Sequence, residues 1–243
     1  MAENKNQEIR ENSVVITARR ALGLSKTYIF SAIFITVLRL TIINPTFWGT
    51  IGQMVANVSS TELSLLSIVF DVLPVIMLIT PIVILFVYDK NNGVLEYLLS
   101  LGMTQRDIYL RYLYASLLIA CVYLIIFAIA DTLYLYVSSG ISSMVAQLPI
   151  LAIGVIIAFS IVAFVITMMM AFSVLQKSRA GGNQPLAITL GLVGIIPDYF
   201  IPFVFPFSTA VLLEIAQAAI LTLIALSVIL LSSRLIRREK LLP

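Results

Sequence analysis

Three ionisable residues stand inside long apolar runs of this chain: Arg39, Asp71 and Asp131. A lone charge in hydrocarbon is expensive, so such residues pair with one another or line a polar path. Arg39 lies about 12 residues, or about 18 Å of helix rise, past the start of its run. Asp71, early in the next run, reaches a similar depth if that run descends, and Asp131 lies near the outer end of the third. Arg39 is therefore expected to pair with Asp71 or, as second choice, with Asp131. The pair would either fix helix packing or belong to a translocation path. Glu214 and Asp198, at the ends of apolar runs, read as solvated rim charges.

What the chain lacks narrows its chemistry further. It has no histidine and a single cysteine, Cys121, so neither a disulfide within the chain nor an imidazole-based zinc site is expected. Cys121 sits in an apolar run and reads as a small buried hydrophobe. A membrane enzyme would need converging carboxylates, or a nucleophile beside a base, and the intramembrane acids are scattered. No G-x-x-x-x-G-K-[ST] loop is present; the GLSK at Gly23 to Lys26 lacks the upstream glycine spacing. ATP hydrolysis is not expected on this chain, and neither is a bound cofactor.

The elements that position these charges are membrane helices. Hydrophobic residues make up 60% of the chain and charged residues 11%, with a mean hydropathy of +1.07; a soluble domain carries about 25% charged residues. Long apolar runs, rather than short alternating ones, point to an all-α bundle and not a barrel. Six spans are expected, at about 27–44, 65–88, 108–137, 148–175, 185–207 and 209–234, preceded by a polar segment, 1–26, that reads as a retained amphipathic helix. The transmembrane domain is thus 27–243. Gly191, Gly194, Pro197, Pro202 and Pro206 break the fifth run and make it partly re-entrant. Residues 138–147 read as an outer loop. The Met168-Met169-Met170 triplet reads as core or lipid packing, and Trp48, Tyr123, Tyr134 and Tyr136 as interfacial or interhelical residues.

All but one of the 15 basic residues lie before the first span, between the second and third, between the fourth and fifth, or after the sixth. Both termini are accordingly expected in the cytoplasm, in a multi-pass protein of the cell membrane. The pI near 9.0 follows from this asymmetry and calls for membrane lipids, not nucleic acid, as partners.

Between the second and third spans lies DKNNGVLEYLLSLGMTQRD, Asp89 to Asp107, too short in its apolar core to cross a bilayer. Asn91 or Asn92 is suited to cap a helix, Val94, Leu95, Leu98 and Leu99 share a face, and Gly102 is placed to end it in a left-handed turn. Thr104-Gln105-Arg106-Asp107 reads as a capping box that opens the third span. The helix is either a connector resting on lipid headgroups or a lever on which a cytoplasmic partner pushes.

With Asp89, Gly93, Val94, Leu95, Glu96, Leu98 and Leu99, then Gly102 and Thr104-Gln105-Arg106, the stretch resembles the coupling region of type 2 ABC transporter permeases. Val94 stands where that family commonly has threonine. The segment VVITARRALGLSKTY before the first span and the proline-broken fifth run are also similar to that family. The resemblance implies a permease that pairs as a homodimer or heterodimer and is driven by a separate nucleotide-binding ATPase subunit carrying ATP and Mg. It assigns the coupling surface to Gly93, Leu95, Glu96, Leu98 and Leu99, and less directly to Asp89 and Arg106. Export of an unspecified cargo is the implied function. The alternative is a self-sufficient secondary transporter or channel, favoured by Pro74 and Pro81 in the second span opposite the broken fifth.

Overall fold

Tyr112 and Val174 lie in one continuous run of helical residues, Gln105–Leu175, and a straight helix would hold them about 90 Å apart. Both nevertheless reach the same spot: the Tyr112 hydroxyl donates to Asp89, and the neighbouring Lys90 donates to the Val174 carbonyl. The chain must double back between them. It does so at Gly140, whose φ of 80° and ψ of 175° are the one break in the run. This backbone region belongs to glycine, because a β-carbon there meets the flanking peptide. One residue therefore converts a 71-residue helix into a hairpin.

The computed structural model describes residues 14–23, 30, 33–34, 60–175, 189, 201, 205 and 207–235. Among them there are helices and short turns and no strand. The elements are α1 (14–23), α2 (Ser60–Asn91), α3 (Val94–Ser100), α4 (Gln105–Leu175) with its two arms before and after Gly140, and α5 (Phe207–Leu235). Among the described residues, four stretches are long and apolar enough to cross a membrane: Pro74–Asn91, Gln105–Leu133, Gly140–Val174 and Ser208–Ser232. They correspond to the second, third, fourth and sixth expected spans. The first and fifth, with Arg39 and Asp198, fall almost entirely outside the described residues, as does the side chain of Asp71.

α2 and the two arms of α4 form the core. On α2, Val72, Val75, Ile79, Ile82, Val83 and Phe86 are buried, the three-and-four spacing of a helix face turned inward. They meet Ile108, Leu113, Ile119 and Leu124 of the first arm and Ile157, Ile161, Val165 and Met169 of the second. Pro74 and Pro81 lie inside α2 without ending it. Met169 and Met170 are buried in this core, in agreement with packing as their role.

Several threonine and serine hydroxyls inside the spans turn back on their own helices. Thr80 donates to the Ile76 carbonyl, Thr167 to Ala163 and Ser173 to Met169, at 2.7 to 2.8 Å. A polar side chain in an apolar helix is satisfied most directly in this way. These buried hydroxyls are therefore accounted for locally and do not trace a polar path.

α5 packs on α4 through a seam of small residues, Ala210, Ala218, Ala225 and Ser232, all buried. Small residues let helix backbones approach closely where lipid supplies no hydrophobic drive. The rest of α5 is open, with Leu212, Leu223 and Leu230 each more than 60% exposed.

Three expectations change. Residues 138–147 are not a loop: only Gly140 leaves helical geometry, and the serines around it stay helical. Cys121 is exposed, not buried, because it lies on the outward apolar face of α4 with Val122 and Ile125. Glu214 is 2% exposed and no solvated rim charge; its position in α5 turns it into the small-residue seam.

Candidate functional site

The last turn of α2 carries an acid followed by a base, Asp89 and Lys90, and both are buried. A base suits this position, since the carbonyl end of a helix is electronegative. An acid does not. Its presence is explained by two other helices.

Asp89 is completely enclosed, and both of its oxygens accept hydrogen bonds. Arg20 of α1 grips it in a fork, Nη1 to Oδ2 and Nη2 to Oδ1, each at 3.0 Å. The Tyr112 hydroxyl, from the first arm of α4, donates to Oδ2 at 2.6 Å. The Tyr112 ring is held edge-on against Phe86 of α2, with centroids 5.2 Å apart. Bidentate guanidinium pairing combined with a phenol donor is among the strongest ways to hold a buried carboxylate. A second tie fixes α1, as Arg111 Nε donates to Thr17 Oγ1 at 2.8 Å. Lys90 completes the junction by donating to the Val174 carbonyl, 3.4 Å away in the last turn of α4. Asp89 and Lys90 thus bind α1 and both arms of α4 to the foot of α2.

α3 begins a few residues further on. Asn91 ends α2 and the Asn92 N–H donates to the Tyr88 carbonyl, so the two asparagines finish the preceding helix instead of capping α3. The cap is Gly93, at φ 73°, ψ 5°, without a side-chain hydrogen bond. The far end matches expectation. Gly102 is left-handed at φ 85°, its N–H donates to Leu99 and the Met103 N–H to Leu98, which is a complete Schellman ending. The Asp107 N–H then donates to Thr104 Oγ1 at 3.2 Å, while that hydroxyl donates to the Asp107 carboxylate at 2.6 Å. The threonine half of the anticipated box thus opens α4 as its N-cap, while the Asp107 carboxylate holds the Thr104 hydroxyl.

α3 is amphipathic. Leu95 is fully buried, with Val94, Leu98 and Leu99 half-buried beside it. Glu96, Tyr97, Ser100 and Leu101 face outward, Tyr97 at 63% and Leu101 at 62% exposed. Glu96 lies in the first turn of α3, where its charge complements the helix dipole. Arg106 is exposed in the first turn of α4. The residues anticipated as a coupling surface therefore fall into four groups: Glu96 and Arg106 are outward, Leu95, Leu98 and Leu99 anchor α3, Gly93 caps its start, and Asp89 lies behind Arg20, out of reach from outside. Arg20, Tyr112, Thr17 and Arg111 were not anticipated. The available signal was the acid in the last turn of α2, a local rule broken in favour of a distant partner.

Of the intramembrane charges, Asp131 is buried on α4 and is not without a partner. Glu214 differs: its Oε2 is buried and has no hydrogen-bond partner among the described residues. No protein-family model, no curated protein and no solved structure matches this chain.

Proposed function

We propose that this chain is the membrane subunit of an ATP-driven exporter, forming the translocation path as a dimer and moved by a separate ATPase subunit that binds ATP and Mg. The observation that carries this reading is α3. A free connector would have no need of a left-handed glycine at each end, a fully buried anchor at Leu95 and two large apolar side chains, Tyr97 and Leu101, held outward. Such a helix, rigidly capped and joined to two spans, is suited to receive a push and pass it on. The excess of Lys and Arg before the first span, between the second and third, between the fourth and fifth, and after the sixth supports a cytoplasmic position for α1, α3 and both termini in a cell-membrane protein. On this reading, closure of the ATPase dimer on nucleotide moves α3 and α1, and the two permeases rock to open a path outward.

A second reading is a self-sufficient secondary transporter, and the observation favouring it is the buried Glu214 Oε2 within α5, which has no hydrogen-bond partner among the described residues, since buried intramembrane acids commonly carry coupling ions. Co-purification with an ATPase encoded beside the gene, followed by ATPase activity in lipid for wild type and Glu96→Lys, separates the two. Retention of the ATPase, with activity uncoupled by the substitution, supports the exporter. No retained ATPase and no effect of the substitution moves the secondary transporter to the front.

A further inference from the structure

We propose that Asp89 is a positioning residue that locks α1 to the foot of α2, so that α1 and α3 move as one unit; the coupling half of this proposal rests on the exporter reading above. The lock stands on geometry alone. Asp89 is 0% exposed, whereas the Arg20 side chain is 48% exposed. α1 is therefore the half that can leave and α2 the half that keeps the charge. Undocking α1 would strand a buried carboxylate with only the Tyr112 hydroxyl for company, a state strongly disfavoured in a low-dielectric site. α1 must follow the end of α2 wherever that end goes.

The same end of α2 leads through Asn92 and Gly93 into α3. A displacement of α3 reaches Asp89 across about one helical turn of chain, and from there reaches α1 through Arg20 and the first arm of α4 through Tyr112. The Arg111 to Thr17 bond gives α1 a second attachment on α4, so α1 cannot swivel about Arg20. Arg19, Val15 and Ile16 remain outward. α1 and α3 thus present two exposed faces held in fixed register by one carboxylate.

The test compares wild type with Asp89→Asn, Arg20→Met, Arg20→Lys and Tyr112→Phe in lipid nanodiscs. Amide hydrogen exchange over 14–23 and 94–100 is read first, because it needs no partner. Asp89→Asn and Arg20→Met should raise exchange over 14–23 about tenfold or more, the factor for about 1.4 kcal/mol. Exchange over 94–100 should stay at the wild-type level. Arg20→Lys keeps the charge and loses the fork, so its effect should be intermediate; it also carries the test if Arg20→Met does not fold. Exchange over 14–23 that stays at the wild-type level in these variants overturns the lock. The second readout is ATPase activity of the complex, where Asp89→Asn should retain the ATPase but lose cargo-stimulated turnover. Full stimulation with α1 released overturns the claim that α1 and α3 act together. A wild-type chain that retains no ATPase defeats the exporter reading instead, and leaves the exchange result to decide the lock.

Discussion

Two buried carboxylates sit in this molecule under opposite conditions. Asp89, where α1, α2 and α4 meet, has both oxygens engaged by Arg20 and Tyr112. Glu214, in the seam between α4 and α5, has a buried oxygen with no partner among the described residues. The first region is built around its charge, with an arginine brought from a helix 69 residues away in sequence and a tyrosine braced by Phe86. The second is built from alanines and a serine that bring two helices close, and the acid interrupts it. A satisfied buried charge specifies which elements meet; an unsatisfied one only weakens the contact it occupies.

The largest effect is expected where a satisfied charge is orphaned. Arg20→Met removes both fork bonds and leaves Asp89 buried with one donor. Because Arg20 is half exposed, the loss falls at the low end for a buried pair, about 3 kcal/mol of stability, read as a drop in Tm in detergent. An unchanged Tm would show that α1 contributes nothing to holding Asp89 and would erase the contrast with Glu214. Next is Gly140→Ala. Beyond its own flanking backbone the added β-carbon meets no described atom within 4 Å, so the cost is that of the backbone conformation, about 2 kcal/mol. It should loosen the approach of the second arm to Lys90, and the lost protection should appear in hydrogen exchange of residues near Val174 as well as in Tm.

Glu214→Met should act in the opposite direction. Replacing a buried acid whose Oε2 has no partner among the described residues by an apolar side chain of similar length removes a desolvation penalty, and Tm should rise by the equivalent of about 1 to 2 kcal/mol. A fall instead would mean that Glu214 is held by a partner in the folded chain, and the two carboxylates would no longer differ in kind. Transport lost despite a higher Tm would mark Glu214 as functional and favour the secondary-transporter reading.

How much of this was legible in sequence follows from the range of each interaction. Gly102, the Thr104 box and the inward leucines of α3 were readable because helix ends and helix faces are decided within a few residues. The described spans were readable because bilayer thickness sets their length. The Arg20–Asp89 pair was not, since nothing in the ARR of α1 says which acid it will meet. Glu214 and Cys121 were both misjudged for a related reason: in an almost uniformly apolar helix the pattern does not reveal which face meets protein and which meets lipid. Asn91 and Asn92 are good caps in isolation, but α2 runs long enough to absorb the first and bond the second. Gly140 shows the same competition in reverse, one glycine sufficing where 138–147 read as a full loop.

The smallest expected effect concerns the junction's outer edge. Thr104→Ala deletes the hydroxyl that both accepts from the Asp107 N–H and donates to its carboxylate. Loss of a helix N-cap costs about 1 kcal/mol, and this one is exposed, so Tm should fall only slightly. Its value lies in location. Thr104 fixes where α4 starts, and α4 begins immediately after the Schellman turn of α3. If the junction is held chiefly by Asp89, Thr104→Ala should fray the first turn of α4, seen as faster exchange at Arg106 and Asp107, while 14–23 stays protected. Loss of protection over 14–23 in this variant would mean that the entry angle of α4, and not the buried carboxylate, keeps α1 in place.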